Sequence, residues 1–244
     1  MTAYSLAAPF RLIALEKVDS TNDEARRAAQ AGSGHGTVVW AREQTAGRGR
    51  RGREWVSPAG NLHCSLLLDG GPEPSRTPQL AFVAAVAVRA ALADLVPGAV
   101  FQVKWPNDVL CHGRKISGML LEQASSLIVA GIGVDVAFAP EPGLYPTTCL
   151  RQLGSGAEPF DVLAGLCEHL GVWYARWRSE GFAPIRQAWL DGAAGLSGPV
   201  TVRLSDETVL EGTFAGLDPE GALLLVEAGG GQRKVLAGDV FFRR

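Results

Sequence analysis

Seven consecutive residues, Gly47 to Arg53, hold four arginines and three glycines, although the formal net charge of the 244-residue chain is only -2. Two runs of strand-forming residues flank this segment, Thr37 to Ala41 and Leu62 to Leu68, so it has to be a loop between strands. Arginine binds phosphate and carboxylate oxygens in pairs, and glycine lets backbone N–H groups approach a ligand. This segment, the arginine loop, therefore predicts a site for a nucleotide or an acyl phosphate.

Arginine–glycine tracts also occur in disordered RNA-binding tails, where they bind phosphates without sequence preference. Such tails are usually repetitive. The arginine loop occurs once and lies between two strand-like runs, which favours a loop that closes over a ligand.

The composition is that of a globular protein with one large domain and an appendage, since 47% of the residues are hydrophobic and 20% are charged. The amino terminus lacks a signal-peptide pattern, and no apolar run is expected to be long enough to span a bilayer. The four cysteines lie far apart and the four histidines lack ligand spacing, so a zinc site is not expected. We expect reduced thiols and a cytoplasmic location.

Strand and helix patterns alternate along the first three quarters of the chain. A strand is predicted from Arg11 to Lys17, followed by a helix that a capping box, Thr21-x-x-Glu24, opens and that runs to about Ala31. Further predicted elements are helices over Pro78 to Leu95 and Pro159 to Glu180 and strands over Val100 to Trp105, Lys115 to Glu122 and Leu127 to Val134.

Past Gly192 the pattern changes to short β runs separated by turns such as Asp218-Pro219-Glu220-Gly221. This change predicts a catalytic domain over 1–192 and a small all-β domain over 193–244.

Four further motifs accompany the arginine loop in the order and spacing of one family. They are Ser20-Thr21-Asn22, Gln44, Lys104-Trp105-Pro106-Asn107-Asp108 and Arg114-Lys115-Ile116-Ser117-Gly118. Together the five closely resemble the catalytic domain of bacterial biotin protein ligase, and the resemblance runs from about Leu12 to the end. It implies an α+β catalytic domain of the class II synthetase-like biotin/lipoate ligase fold, with a mainly antiparallel sheet packed by helices, and a C-terminal SH3-like β-barrel.

The resemblance also implies an activity. The family uses ATP and Mg²⁺ to convert biotin to biotinyl-AMP and then transfers the biotinyl group to a lysine of a biotin carboxyl carrier protein. Biotin's ureido ring has two N–H donors and one carbonyl acceptor, which the hydroxyl and amide groups of Ser20, Thr21 and Gln44 can pair. By themselves Ser20 and Thr21 are equally typical of helix caps. The resemblance adds Asn22, Gly49 and Gly118 to the substrate-binding residues.

Adenylate formation brings the biotin carboxylate to the α-phosphate of ATP, so the site has to supply positive charge. Lys115, at the start of a predicted strand, is the expected central cation, and Arg48 and Arg50 are expected to close over biotin and the phosphate. We expect the arginine loop to be mobile when the site is empty and fixed when the adenylate forms.

The nucleotide half of the site is expected to include Trp55, Asn107, Gly133 and Asp135. By resemblance Asn107 lies near the adenine, and Asp108 lies near Mg²⁺ or the incoming lysine amine. Trp55 either covers the nucleotide or packs in the core. Asp135 stands where the family ordinarily has asparagine; a carboxylate only accepts hydrogen bonds, so it either contacts the adenine amino group or joins the metal ligands.

Other functions remain open at this point. Lipoate or octanoate protein ligases have a similar fold, although their substrates do not require the polar set of Ser20, Thr21 and Gln44. An acyltransferase would need a cysteine such as Cys149 or Cys64, and neither has a base nearby in the sequence. Since the catalytic pattern begins almost at residue 1, we expect no DNA-binding domain; we expect no membrane partner either, and a homodimer is left open.

Overall fold

The computed structural model describes residues 4–141 and 145–242 of the chain. One seven-stranded sheet dominates it, in the spatial order β1-β2-β3-β7-β6-β5-β4. β1 and β2 are parallel, and every other neighbouring pair is antiparallel, which confirms the predicted mainly antiparallel sheet. The strands are β1 (Arg11–Val18), β2 (Thr37–Gln44), β3 (Leu62–Asp69), β4 (Phe101–Lys104), β5 (Asp108–Cys111), β6 (Arg114–Ala124) and β7 (Leu127–Val134).

Four helices cover the sheet: α1 (Thr21–Gln30), α2 (Gln79–Leu95), α3 (Pro159–Glu180) and α4 (Ala183–Asp191). The alanine-rich α2 is apolar on most of its surface because it lies between the sheet and the helices α3 and α4. α3 begins at a capping box, in which the side chains of Glu158 and Asp161 bond the first-turn backbone, with Pro159 at the first helical position.

The opposite face of the sheet is covered by α1. Ala25 of this helix packs on Val39, Leu67 and Val129, which form a second, smaller apolar cluster. Because both faces of the central strands are covered, β3 is apolar on both sides apart from His63, Ser65 and the terminal Asp69.

The C-terminal region is a separate antiparallel sheet in the order β11-β10-β9-β8-β12. β11 and β12 are its two edges, so the closed SH3-like barrel stays a prediction, as does the domain boundary at 192/193. The strands are β8 (Pro199–Arg203), β9 (Val209–Leu217), β10 (Leu223–Val226), β11 (Gln232–Val235) and β12 (Asp239–Phe242).

Two hydrogen bonds fix this second sheet beside the first. The indole Nε1 of Trp105 donates to the Gly221 carbonyl at 3.1 Å, and Arg186 Nε donates to the Leu217 carbonyl at 2.8 Å. β12 thereby comes to lie next to the end of β4.

The predicted capping box of α1 is wrong. Thr21 is the first helical residue, and its hydroxyl donates to Gln44 Oε1 at 3.0 Å, while Glu24 pairs with Arg27. Ser20 takes the N-cap position without a side-chain capping bond. Two short elements, β5 and α4, were also not predicted; β5 is only four residues long, and α4 follows α3 after a break at Gly181.

One apolar helical stretch, Pro74–Leu95, is long enough and apolar enough to cross a membrane, contrary to the expectation from sequence. In its most apolar window 61% is buried inside the protein, which is the pattern of a core helix.

Leu66 of β3 is fully buried between the layers, so Leu66→Ala is expected to lower the free energy of unfolding by about 2–5 kcal/mol through lost burial and a residual cavity. Leu236→Ala is the matched control, because Leu236 is 84% exposed. Urea unfolding of both variants checks this, and equal losses would contradict the assigned core.

Candidate functional site

The residues predicted from the sequence surround one cavity of about 120 Å³. It lies between the N-terminus of α1, the ends of β2 and β6, the middle of β7, the arginine loop and β12. All but one of the predicted residues line it: Ser20, Thr21, Asn22, Gln44, Arg48, Gly49, Arg50, Trp55, Asn107, Asp108, Lys115, Gly118 and Gly133. The exception is Asp135.

One wall of the cavity is a chain of hydroxyl and amide groups. Gln44 Oε1 accepts hydrogen bonds from the backbone N–H and the hydroxyl of Thr21, at 2.7 and 3.0 Å, and Gln44 Nε2 donates to Ser57 Oγ at 2.8 Å. Ser65 Oγ lies 2.8 Å from Thr21 Oγ1 and 2.6 Å from Asn22 Oδ1. These bonds fix the orientation of each donor and acceptor that faces the cavity.

Asn22 lies against the bare backbone of β7. A Cβ atom at Gly131 would lie 2.1 Å from Asn22 Oδ1, so only glycine at this position lets α1 come so close to the sheet. The same strand bears Gly133, where an added Cβ would lie 2.4 Å from the Trp55 ring. The two glycines therefore make room for side chains of the site.

The arginine loop is a narrow hairpin. Arg48 and Glu54 form an antiparallel bridge, Gly49 N–H donates to the Arg53 carbonyl at 2.7 Å, and Trp55 N–H donates to the Gly47 carbonyl at 3.0 Å. This backbone pairing carries Arg50 over the cavity.

Every arginine of the loop has a side-chain partner, and two of them share one. Arg48 forms an ion pair with Asp23, at 2.5 and 2.9 Å, and Arg50 Nη1 donates to Asn107 Oδ1 at 3.1 Å. Arg51, at 3.0 Å, and Arg53 both donate to one carboxylate of β12, that of Asp239. The predicted change from a mobile to a fixed loop stays a prediction.

A second group of charges lies beneath the loop. Lys115 Nζ pairs with Asp108 Oδ1 at 2.7 Å and lies 5.4 Å from the centre of the Trp55 ring. Lys104 is only 3% exposed, and its ammonium lies 3.2 Å from the centre of the Tyr145 ring. Burial lowers the pKa of Lys104 to about 8. An anion entering the cavity would therefore meet Lys104, Lys115 and Arg50 together.

Trp55 fills part of the cavity. Its ring covers Gly133 and Gly118, and its Nε1 is buried with no hydrogen-bond partner in the described parts of the chain. An unpaired buried N–H is costly, which is consistent with a side chain that shifts when a ligand enters.

Asp135 lies at the end of β7 and is 1% exposed, outside the group of described residues that line the cavity. Asn61 Nδ2 donates to its Oδ1 at 3.3 Å, and Oδ2 has no partner in the described ranges. Burial raises the pKa of Asp135 to about 8, opposed in part by the charge of Lys115. The carboxyl group is therefore held largely in its neutral form at pH 7, a state that the sequence analysis did not consider.

Sequence reasoning missed several residues of the site: Ser65, Lys104, Tyr145 and Asp239 in or beside the cavity, and Asp23 and Glu122 behind the arginine loop. Ser65 interrupts an otherwise apolar strand, and Lys104 opens the Lys-Trp-Pro-Asn-Asp motif, so both carried a local signal. The acidic residues carried none, because their role depends on contacts with distant segments.

The described residues contain no group of three His, Cys, Asp or Glu side chains that would hold a metal ion. Of the two carboxylates considered as metal ligands, Asp108 is engaged with Lys115 and Asp135 lies outside the group of lining residues. A single carboxylate fits Mg²⁺ only when phosphate oxygens supply most of its ligands, as they do for nucleotide-bound Mg²⁺.

Comparison with known protein families defines the class. Residues 14–136 match the biotin/lipoate A/B protein ligase family, and residues 199–243 match the biotin protein ligase C-terminal domain. The chain belongs to the biotin protein ligase family.

Individual relatives agree with this assignment. The chain is 42% identical to a biotin–[acetyl-CoA-carboxylase] ligase of Paracoccus denitrificans, over 93% of this chain and 99% of the relative. It is 33% identical to the bifunctional ligase/repressor BirA of Bacillus subtilis, over 94% of this chain and 73% of the relative. A biotin protein ligase from Aquifex aeolicus in complex with biotin and ATP superimposes with a TM-score of 0.84 at 29% identity, covering 96% of this chain and 99% of that one.

The buried Asp135 gives stability a specific pH dependence. Between the ordinary pKa of 3.8 and the raised value of about 8, the folded protein keeps a proton that the unfolded chain releases. The free energy of unfolding therefore falls as pH rises through this window, by on the order of several kcal/mol at most. The Asp135→Asn variant cannot titrate at this position. We therefore expect the melting temperature of the variant, relative to that of the wild type, to increase from pH 5 to pH 8.

Thermal unfolding of both proteins across this pH range measures the difference. Asp191→Asn, at an exposed position, is the control and should follow the wild type. A difference between Asp135→Asn and the wild type that does not change with pH would contradict the neutral carboxyl group.

Proposed function

We propose that this protein joins biotin to ATP, forming biotinyl-AMP and pyrophosphate, and then transfers the biotinyl group to a lysine of a biotin carboxyl carrier protein. The observation that carries the proposal is the convergence on one cavity of a polar set, Thr21 and Gln44, and a cationic set, Lys115 and Arg50. Relatives named as biotin–[acetyl-CoA-carboxylase] ligases support a carrier domain of that carboxylase as the acceptor.

The polar wall suits the ureido ring of biotin. Ser20 and Thr21 offer hydroxyl groups, and the hydrogen bonds of Gln44 to Thr21 and Ser57 hold its amide in one orientation. A ligand that lacks the ureido group has nothing to exchange for the hydrogen bonds that Thr21, Gln44 and Ser57 make with one another, so it gains no polar contact at this wall. This favours biotin over lipoate or octanoate, as does the match to the biotin protein ligase C-terminal domain.

The first step joins two anions. A biotin carboxylate oxygen attacks the α-phosphorus of ATP, and the bond from that phosphorus to the bridging oxygen of pyrophosphate breaks. Lys115 can neutralise both groups once its ammonium leaves Asp108, 2.7 Å away, and Arg50 covers them from the loop. Lys104 lies in the same cavity wall, on the side of β12, where it can meet the outer phosphates.

The second step moves the acyl group. The amine of the carrier lysine attacks the biotinyl carbonyl carbon, and the bond to the AMP oxygen breaks. The amine has to be neutral to attack, and Asp108, freed from Lys115, is the carboxylate at the cavity best placed to take its proton. Exclusion of water by the arginine loop protects the adenylate from hydrolysis until the carrier arrives.

Mg²⁺ bound to ATP would be held by the phosphates, with Asp108 as its protein ligand, and would supply further positive charge to them. Asn107 is proposed to lie near the adenine, although its Oδ1 already accepts from Arg50 and its Nδ2 donates to the Met119 carbonyl at 2.5 Å.

Two ligands need more room than the empty site offers. Its volume of about 120 Å³ lies below the ~300–1,000 Å³ usual for small-molecule pockets. Trp55 and the arginine loop are the parts that can move, since Trp55 Nε1 has no hydrogen-bond partner in the described ranges and the loop is held by side-chain pairs that a ligand can replace. We propose that Trp55 then covers the nucleotide, which is one of the two roles that the sequence left open.

The four cysteines of the chain are free and buried, which suits an enzyme of the reducing cytoplasm and leaves no exposed thiol for an acyltransferase that works through a thioester. A homodimer and the absence of DNA binding stay predictions.

Lys115→Ala is expected to abolish biotin-dependent exchange between ATP and pyrophosphate, a loss of at least about 100-fold, because it removes the central cation. Exchange is measured with biotin, lipoate and octanoate in separate reactions. Lys17→Ala, in an exposed ion pair with Glu43, is the matched control. Exchange with lipoate or octanoate alone in the wild-type protein would overturn biotin as the substrate, and wild-type rates in Lys115→Ala would overturn the role of this lysine.

Arg50→Ala is expected to speed release of bound biotinyl-AMP by about tenfold or more, because the charge that covers the phosphate is lost. Release is followed by trapping the free adenylate after dilution. Arg42→Ala, on the exposed surface of β2, should release it at the wild-type rate. If Arg50→Ala also shows the wild-type rate, Arg50 does not cover the adenylate.

A further inference from the structure

A square of four charges lies at the base of the arginine loop, and of its four members only Arg48 also lines the cavity. Asp23 and Arg26 belong to α1, Glu122 to β6, and Arg48 to the loop itself. We propose that Asp23 and Glu122 are positioning residues, which hold Arg48 and thereby keep the arginine loop closed over the adenylate. The inference rests on the proposed function and extends it to residues that do not contact the substrates.

The contacts of Arg48 are the first support. Its guanidinium meets both oxygens of Asp23, at 2.5 and 2.9 Å, and Glu122 Oε2 at 3.4 Å. A bidentate pair fixes the plane of the guanidinium as well as its distance. The bond to Asp23 is also the main reason why the pKa of that carboxyl group is lowered.

The square is balanced and cross-linked. Arg26 donates to Asp23 Oδ1 at 2.6 Å and to Glu122 Oε2 at 3.2 Å, so each carboxylate meets two guanidinium groups. The side chains of Asp23 and Glu122 are only 24% and 26% exposed. Networks of partly buried charges are less screened than isolated surface pairs, so they can hold a loop where one exposed pair would not.

The square also reaches the polar wall of the cavity. Glu122 Oε2 accepts from Asn22 Nδ2 at 2.7 Å, and Asn22 Oδ1 lies 2.6 Å from Ser65 Oγ. The position of Arg48 at the base of the loop is therefore tied to the position of the groups proposed to bind biotin. The hydrogen bonds of Asn22 therefore link the closed position of the loop to the pocket proposed for biotin.

Position in the helix offers a competing explanation. Asp23 lies in the first turn of α1, where any carboxylate stabilises the helix through its dipole. Glu24 lies in the same turn with a similar side-chain exposure of 29%, but it pairs with Arg27 and not with the loop. Glu24→Gln is thus a matched control that removes a first-turn charge and its pair with Arg27 but leaves the contacts of the loop in place.

The first experiment is limited proteolysis, which does not depend on the enzymatic activity of the protein. The loop contains four arginines at which trypsin can cut, and neither substitution removes one of them. In the unliganded protein, Asp23→Asn is expected to speed tryptic cleavage within 47–53 about tenfold relative to Glu24→Gln, with unchanged thermal unfolding. Glu122→Gln is a second variant, which removes the other carboxylate that contacts Arg48. If Asp23→Asn does not fold, Glu122→Gln is expected to show the same faster cleavage of the loop.

The second experiment measures release of biotinyl-AMP from the same proteins. Asp23→Asn is expected to release it about tenfold faster than Glu24→Gln, whereas exchange at saturating biotin and ATP changes by less than about threefold, since the groups that carry the chemistry remain. Equal rates of biotinyl-AMP release from Asp23→Asn and Glu24→Gln would overturn the proposal. An equal increase in the rate of tryptic cleavage of these two variants would also overturn it.

The two experiments separate the inference from the function on which it rests. If the wild-type protein makes no biotinyl-AMP but Asp23→Asn still exposes the loop, the proposed function fails and the anchor of Arg48 stands. If the wild-type protein makes biotinyl-AMP and neither variant changes cleavage or release, the function stands and the anchor is wrong.

Discussion

The site depends on positive charges that are held together before any ligand arrives. Lys115 is paired with Asp108, Arg48 with Asp23, and Arg51 and Arg53 with Asp239. Without these carboxylates the cations would repel one another and the loop would have no fixed place. In the proposed function, a substrate anion replaces Asp108 as the partner of Lys115 and adds to the contacts that already hold the loop.

Local motifs made much of the site predictable. The arginine loop, Ser20-Thr21-Asn22 and Gln44 meet as the sequence indicated, because each motif lies at the end of a strand or helix and the sheet brings those ends to one place. The β-rich C-terminal region was predictable for a similar reason, since its turns are marked by Asp-Pro-Glu-Gly and Gly-Gly-Gly.

The rest could not be predicted because it depends on register and on long-range packing. Glu122 faces the loop only because β6 pairs with β7 in one register, in which Glu122 lies opposite Val129. Asp135 lies near the site in sequence terms, yet the turn after β7 buries it against Asn61. Nor could the pattern of α1 show that the hydroxyl of Thr21 bonds to Gln44 and does not cap the helix.

The contacts of Asp239 limit how the C-terminal sheet of such a protein can be exchanged for that of a relative. It belongs to β12 of the C-terminal sheet, yet it is the carboxylate that holds Arg51 and Arg53 of a loop in the other sheet. The two halves of the chain are therefore not interchangeable parts. A chimera that takes its C-terminal half from a relative would keep the carboxylate partner of Arg51 and Arg53 only if the donor also carries an acidic residue at the start of its last strand.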